Sequence, residues 1–195
     1  RPMLNRWAPP TRRGGAAMDR NYLSELTWDK LDRIKEWWGN RPIMVKGVMT
    51  TEDALLCVEH GVNVVWVSNH GGRQLDHGRG STDVLPEIVD AVSNRAKIMI
   101  DGGFYRGSDI VKAIALGAHI VGLGRMQCYG LAAAGQAGIV RMLDLLHDEV
   151  TRTMGLLGVT SLGKLDPSYL HAAPLANPAH VFSAFPHLEI APYRY

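Results

Sequence analysis

Four short apolar runs, each followed by a helix-like stretch, constrain this chain more than any other feature. The runs are Ile43–Val48, Val62–Ser68, Lys97–Asp101 and Ile120–Leu123. They are rich in β-branched residues and continuously apolar rather than alternating, as strands buried on both faces are. Helices are expected from Thr51 to His60, Asp83 to Val92 and Ser108 to Leu116, with Gly117 closing the last. Strand–helix alternation of this kind means parallel β/α units. A further helix is expected from about Thr27 to Trp38, capped by Thr27, with Leu31, Ile34 and Trp38 on one face. After the fourth strand, Leu131 to Leu157 reads as one or two long helices, with Leu143, Leu146, Val150 and Met154 along one side.

Four such units make either half of an eight-stranded barrel or a small open sheet. A complete barrel takes about 250 residues, and this chain has 195. The expected division is a basic loop or linker over 1–26, a β/α region over 27–165 and an irregular, proline-rich tail over 166–195. The chain starts without Met and with no apolar leader, which reads as a piece of a longer chain. A net charge of +2 gives no footprint for nucleic acid. No apolar run reaches the roughly 18 residues of a membrane span. The two cysteines, Cys57 and Cys128, are too few for a disulfide scaffold and read as core thiols, so a reducing compartment is expected. The histidines show no metal-ligand spacing, and no metal site is expected.

The polar clusters all fall at the C-terminal ends of the strands, where both architectures place chemistry. The strongest is Ser68-Asn69-His70-Gly71-Gly72-Arg73-Gln74-Leu75-Asp76. A base and a guanidinium stand three residues apart on a glycine-softened strand end. A 2-hydroxy acid needs both: a bidentate cation for its carboxylate and a base that titrates near neutrality for its proton. The plainer reading of a lone His-x-x-Arg is a surface turn, and the strand context argues against it. Lys46 ends the first strand, where a cation can stabilise negative charge on a cofactor such as a reduced flavin, or simply reach for solvent. Asp101-Gly102-Gly103-Phe104-Tyr105-Arg106-Gly107 and Gly122-Leu123-Gly124-Arg125 put glycines ahead of helix N-termini, as anion sites do.

These residues together resemble the FMN-dependent α-hydroxy-acid oxidase and dehydrogenase family, over roughly residues 27–170. That family includes glycolate oxidase, lactate oxidase, mandelate dehydrogenase and flavocytochrome b2. The resemblance implies an α/β fold, the C-terminal half of a TIM (β/α)8 barrel, with the four strands as numbers five to eight. It implies FMN as cofactor and a small L-2-hydroxy acid as substrate, oxidised to the 2-oxo acid. Lys46 would contact the flavin N1/O2 edge and Ser68 the ring. His70 would be the base, with Arg73 on the substrate carboxylate. Asp101, Gly102, Gly103, Phe104, Tyr105, Gly124 and Arg125 would hold the ribityl chain and phosphate.

Tyr105 departs from the pattern, which usually has Arg there, so Arg106 or Arg125 would have to compensate. The first four strands are also missing, and with them a Tyr, a second Arg and the Asp that partners the His. The expected partner is therefore the absent N-terminal half, docked as a separate chain, with Arg1 to Arg13 as the remnant of the preceding loop. The resemblance also implies a homo-oligomer, a tetramer in the family, and a cytoplasmic location with membrane association left open. Two rivals stand beside this reading: another FMN barrel without net redox chemistry, and a non-catalytic half barrel that binds flavin or a partner chain.

Overall fold

The computed structural model describes residues 26–75 and 77–173. The expected loop over 1–25, Asp76 of the polar motif, and the tail beyond residue 173 lie outside the described residues. The chain divides into two units, Arg1–Ile43 and Met44–Tyr195.

In the first unit, helix α1 spans Trp28–Trp38. The Thr27 hydroxyl accepts from Lys30 N at 3.4 Å, and Gly39, at φ 70°, ends the helix by donating to Lys35 O. Leu31 is buried, but Ile34 and Trp38 are about half-exposed, so the expected stripe is covered only at Leu31. The guanidinium of Arg41 lies 5.3 Å from the Trp38 ring centre, and the indole donates to Pro42 O at 3.1 Å.

The second unit is one parallel sheet with helices. Strands β1 (Met44–Val48), β2 (Val64–Val67), β3 (Lys97–Ile100) and β4 (Ile120–Val121) alternate with α2 (Thr51–Glu59), α3 (Ser81–Val92) and α4 (Gly107–Ala115). The sheet order is β1-β2-β3-β4, and all three pairings are parallel. Sequential order with right-handed crossovers puts every connecting helix on the same face. An open doubly wound sheet would reverse direction at a switch point, and this one does not. Val65, Val67, Ile98 and Ile100 point to the helix side and are fully buried or nearly so. The opposite face carries a continuous row in register, Lys46–Trp66–Met99–Ile120. Met44 and Ile120 on it are each 43% exposed. An apolar sheet face left this open is a surface that a further layer normally covers.

Helix α5 runs Arg125–Leu157 and is interrupted at Ala134 and Gly135. Met142 and Leu146 are its buried residues, with Val150 and Met154 half-buried against α4. Leu143, expected on that stripe, is half-exposed. The buried row repeats every four residues from Met142, which turns Leu143 about 100° away. Val159 and Leu165 beyond the helix complete this cluster with Val111 and Ala115.

Cys57 is the core thiol expected. Burial, reinforced by Asp53, pushes its pKa up to about 12. Cys128 is not: it is exposed, because the residues after β4 open onto a cleft instead of entering the core.

His119, just ahead of β4, accepts Ile98 N–H at 3.2 Å through Nδ1. Burial first, and the nearby Lys97 second, lower its pKa below the ordinary 6.5. The unfolded chain therefore binds more protons here once the pH drops below that value. The contribution is complete above pH 6.5 and is lost as pH falls toward the lowered folded value. Urea midpoints should consequently drop between neutrality and mild acid more steeply for the native chain than for His119→Gln. Equal pH slopes would show that His119 is not linked to folding.

Candidate active site

The carboxyl ends of the four strands converge on one cleft of about 380 Å³. Its lining includes Lys46 from β1, His70 and Arg73 from the loop after β2, Asp101 to Tyr105 after β3, and Gly124 and Arg125 after β4. Residues distant in sequence meet there because parallel strands all deliver their ends to one edge.

Ser68 organises the inner end. It is buried, 1% exposed, and its hydroxyl accepts from Lys46 Nζ at 2.8 Å and from the His70 amide at 3.2 Å. Ser68 thus lies beneath the cleft and ties its cation to the backbone of its base. Lys46 also pairs with Asp101 at 3.3 Å and lies 5.1 Å from the Trp66 ring centre. A half-buried ammonium held by three groups is a fixed charge rather than a side chain reaching for solvent.

The residues His70–Gly72 form a 3-10 turn. Asn69 builds it: its side-chain oxygen accepts Gly71 N at 3.0 Å, and its amide donates to Arg79 O at 3.4 Å. Asn69 was not singled out in the sequence, although an Asn two residues ahead of a Gly is an Asx-turn signal. His70 sits at φ 55°, in the left-handed region where few non-glycine residues are found. Its ring lies over Gly47, and a Cβ at that position would come within 2.9 Å of Cε1. Gly47 itself is at φ 101°, where the β1–β2 register shifts between Lys46 and Val48. Arg73, the end of the same turn, is exposed and makes no ion pair with a described residue.

The outer end is built differently from what the sequence suggests. Arg106 does not line the cleft. Its guanidinium pairs with Glu149 of α5 at 3.0 Å, and the same carboxylate accepts Gly107 N at 2.6 Å. Asp109 accepts the amides of Arg106 and Tyr105 at 3.0 and 3.3 Å. The N-terminus of α4 is thereby closed by two carboxylates. The N-terminus of α5 instead faces the cleft through Gly124, Arg125, Met126, Gln127 and Cys128. Phe104 contributes mainly backbone, since its ring is buried. Tyr105 stacks on Tyr129 with ring centres 6.3 Å apart and 25° between planes. Among the described residues no cluster of His, Cys, Asp and Glu could hold a metal ion.

The cleft therefore offers a fixed cation and a base at one end, an exposed guanidinium on the same turn, and a helix N-terminus with Arg125 at the other. Such a site can take a long anionic ligand and a small carboxylate side by side.

The chain is similar to several known proteins. The chain is 45% identical over 146 residues to an L-lactate oxidase from Nostoc sp. (strain PCC 7120 / SAG 25.82 / UTEX 2576), covering 75% of this chain and 40% of that one. It is 44% identical over 142 residues to pre-mycofactocin synthase from Mycobacterium tuberculosis, covering 73% and 36%. A solved monotopic membrane protein, (S)-mandelate dehydrogenase, superposes with a TM-score of 0.71 at 42% identity, covering 74% of this chain and 38% of that one. The chain thus spans about two-fifths of the length of these relatives. The model of the FMN-dependent dehydrogenase family matches residues 4–172, and this chain belongs to that family.

Proposed function

We propose that this chain is the C-terminal half of an FMN-dependent (β/α)8 barrel, its strands numbers five to eight, and that the completed barrel oxidises a small L-2-hydroxy acid to the 2-oxo acid. The observation that carries the chemistry is the single turn that presents His70 and Arg73 to one cleft beside the anchored Lys46. The open sheet face, and relatives of which the chain spans only about two-fifths, support the half barrel. Residues 27–165 are read as this half. The assembled enzyme is read as a cytoplasmic homo-oligomer. Its monotopic neighbour supports attachment to a membrane surface as a second arrangement, and no helix of the described residues is long and apolar enough to cross a membrane.

The residues fit FMN. Lys46, anchored by Ser68, would meet the N1/O2 edge of the ring. Asp101, Gly102, Gly103 and Phe104 line the middle, where the backbone passes close to a ribityl chain. Gly124 and Arg125 would hold the phosphate at the start of α5. Tyr105 stands where the family usually has a cation, and since Arg106 is engaged by Glu149, Arg125 carries the charge.

When bound, the flavin supplies a two-electron acceptor. Arg73 orients the substrate carboxylate in a bidentate pair. His70 then takes one of the two protons that leave with the electron pair, from the α-carbon or from the hydroxyl. Ser68 keeps the base and Lys46 in fixed relation, so little reorganisation is needed during the reaction.

The short span of the chain supports a second reading, a half barrel that binds flavin or a partner without turnover. Both are tested on the sample as isolated, by intact mass, flavin spectrum and anaerobic addition of glycolate, L-lactate or (S)-mandelate. The expected result is a second polypeptide or a longer parent chain, and a flavin that bleaches with one of these acids. A 195-residue monomer that is soluble and active would overturn the half barrel. A completed barrel whose flavin never bleaches with them would overturn the chemistry.

A further inference from the structure

The ammonium of Lys46 has partners of two kinds. Two are polar: the Ser68 hydroxyl at 2.8 Å and the Asp101 carboxylate at 3.3 Å. The third is the Trp66 ring, whose centre lies 5.1 Å from Nζ. Lys46 and Trp66 are paired in register on neighbouring strands, on the open face of the sheet. Lys46 lines the cleft and Trp66 does not, so the ring bears on the cleft through the ammonium. Gly122, just after β4, leaves room for it: a Cβ there would come within 3.4 Å of Trp66 Cζ2 and 3.3 Å of Asp101 Cβ. The indole Nε1 is buried and bonds to no described residue, so no hydrogen bond among them accounts for a Trp here.

We propose that Trp66 is a positioning residue for Lys46, which holds the ammonium at the flavin edge of the cleft without cancelling its charge. The inference rests on the reading that the cleft holds FMN. The two kinds of partner differ in what they leave of the cation. A carboxylate beside an ammonium offsets its field on a ligand. A ring face attracts the ammonium through its quadrupole and adds no net charge. The ring also keeps water from one side of the ammonium, and a charge less screened by water acts more strongly on its neighbours. Both effects raise the preference of the cleft for the more negative, reduced flavin over the oxidised one.

The test uses the assembled enzyme with FMN bound and reads the midpoint potential of the flavin, which reports its relative affinity for the reduced and oxidised forms. Trp66→Leu removes the π face. It should lower the preference for reduced flavin about fivefold, seen as a more negative potential. Trp66→Phe keeps a weaker face, so the fall should be smaller and in the same direction. It carries the test if Trp66→Leu does not fold, which the melting temperature of the flavin-free protein reveals. In a Lys46→Met background, where no cation remains over the ring, neither change should move the potential further. A potential that is unchanged or more positive in both variants, or an equal shift with and without Lys46, would overturn the proposal. A native protein that binds no FMN would overturn the cofactor reading itself, and this inference with it.

Discussion

Replacing His70 with Asn should leave the flavin bound and slow its reduction by about 10²–10⁴-fold, the usual contribution of a positioned general base. Asn is the informative substitution because His70 sits at φ 55°. Of the small polar side chains, Asn is among those that tolerate this left-handed conformation best. The turn that also presents Arg73 should therefore survive, with Asn69 still accepting Gly71 N–H. Only the proton acceptor is lost. Flavin content would be read from the absorption spectrum, and reduction by stopped flow in the completed barrel. Reduction within a few-fold of the native rate would remove His70 from the chemistry. Loss of flavin together with activity would mean that the turn, and not the base, had been damaged.

Gly47→Ala should be nearly as harmful although residue 47 touches no substrate in this reading. Two costs add. The backbone at φ 101° is one that side-chain-bearing residues rarely adopt, worth about 1–3 kcal/mol. A Cβ there would also lie 2.9 Å from His70 Cε1, so the imidazole must move. Displacing a catalytic group by about 1 Å can cost about 10²-fold in rate. The variant should melt several degrees lower and reduce its flavin about a hundredfold more slowly. The two costs separate in a His70→Ala background, where the ring is gone. There Gly47→Ala should retain its stability cost and have almost no further effect on rate. Additive rate losses in the double variant would show that Gly47 does not act through His70.

The β/α rhythm was legible in the sequence because it is a local property. Val64-Val65-Trp66-Val67 is a buried strand by composition alone, and Thr27 and Gly117 punctuate helices through their own backbone chemistry. The polar clusters were legible for a related reason. His70 and Arg73 belong to one turn, and every cluster follows a strand, so parallel pairing is enough to gather them. Asp101, Lys46 and Arg125 could be placed at the same edge without knowing a single distance.

What the sequence could not determine is which groups pair across that edge. The direction of winding was decided by the strand order β1-β2-β3-β4, since the same units could have reversed direction at a switch point. Arg106 and Arg125 read alike beside their glycines. Glu149, more than forty residues from Arg106, takes one guanidinium into an ion pair and leaves the other at the cleft. The same carboxylate closes the α4 N-terminus, so the open anion-facing turn is the one at Gly124. Cys128 read as a core residue from its apolar neighbours, yet the path of α5 exposes it. Tyr129 and Tyr105 come together only because the first turns of α5 lie beside the loop after β3. Periodicity and capping act within a few residues and are written in sequence order. The partners of a charge or a ring depend on contacts between distant segments, and those exist only once the sheet has brought its ends together.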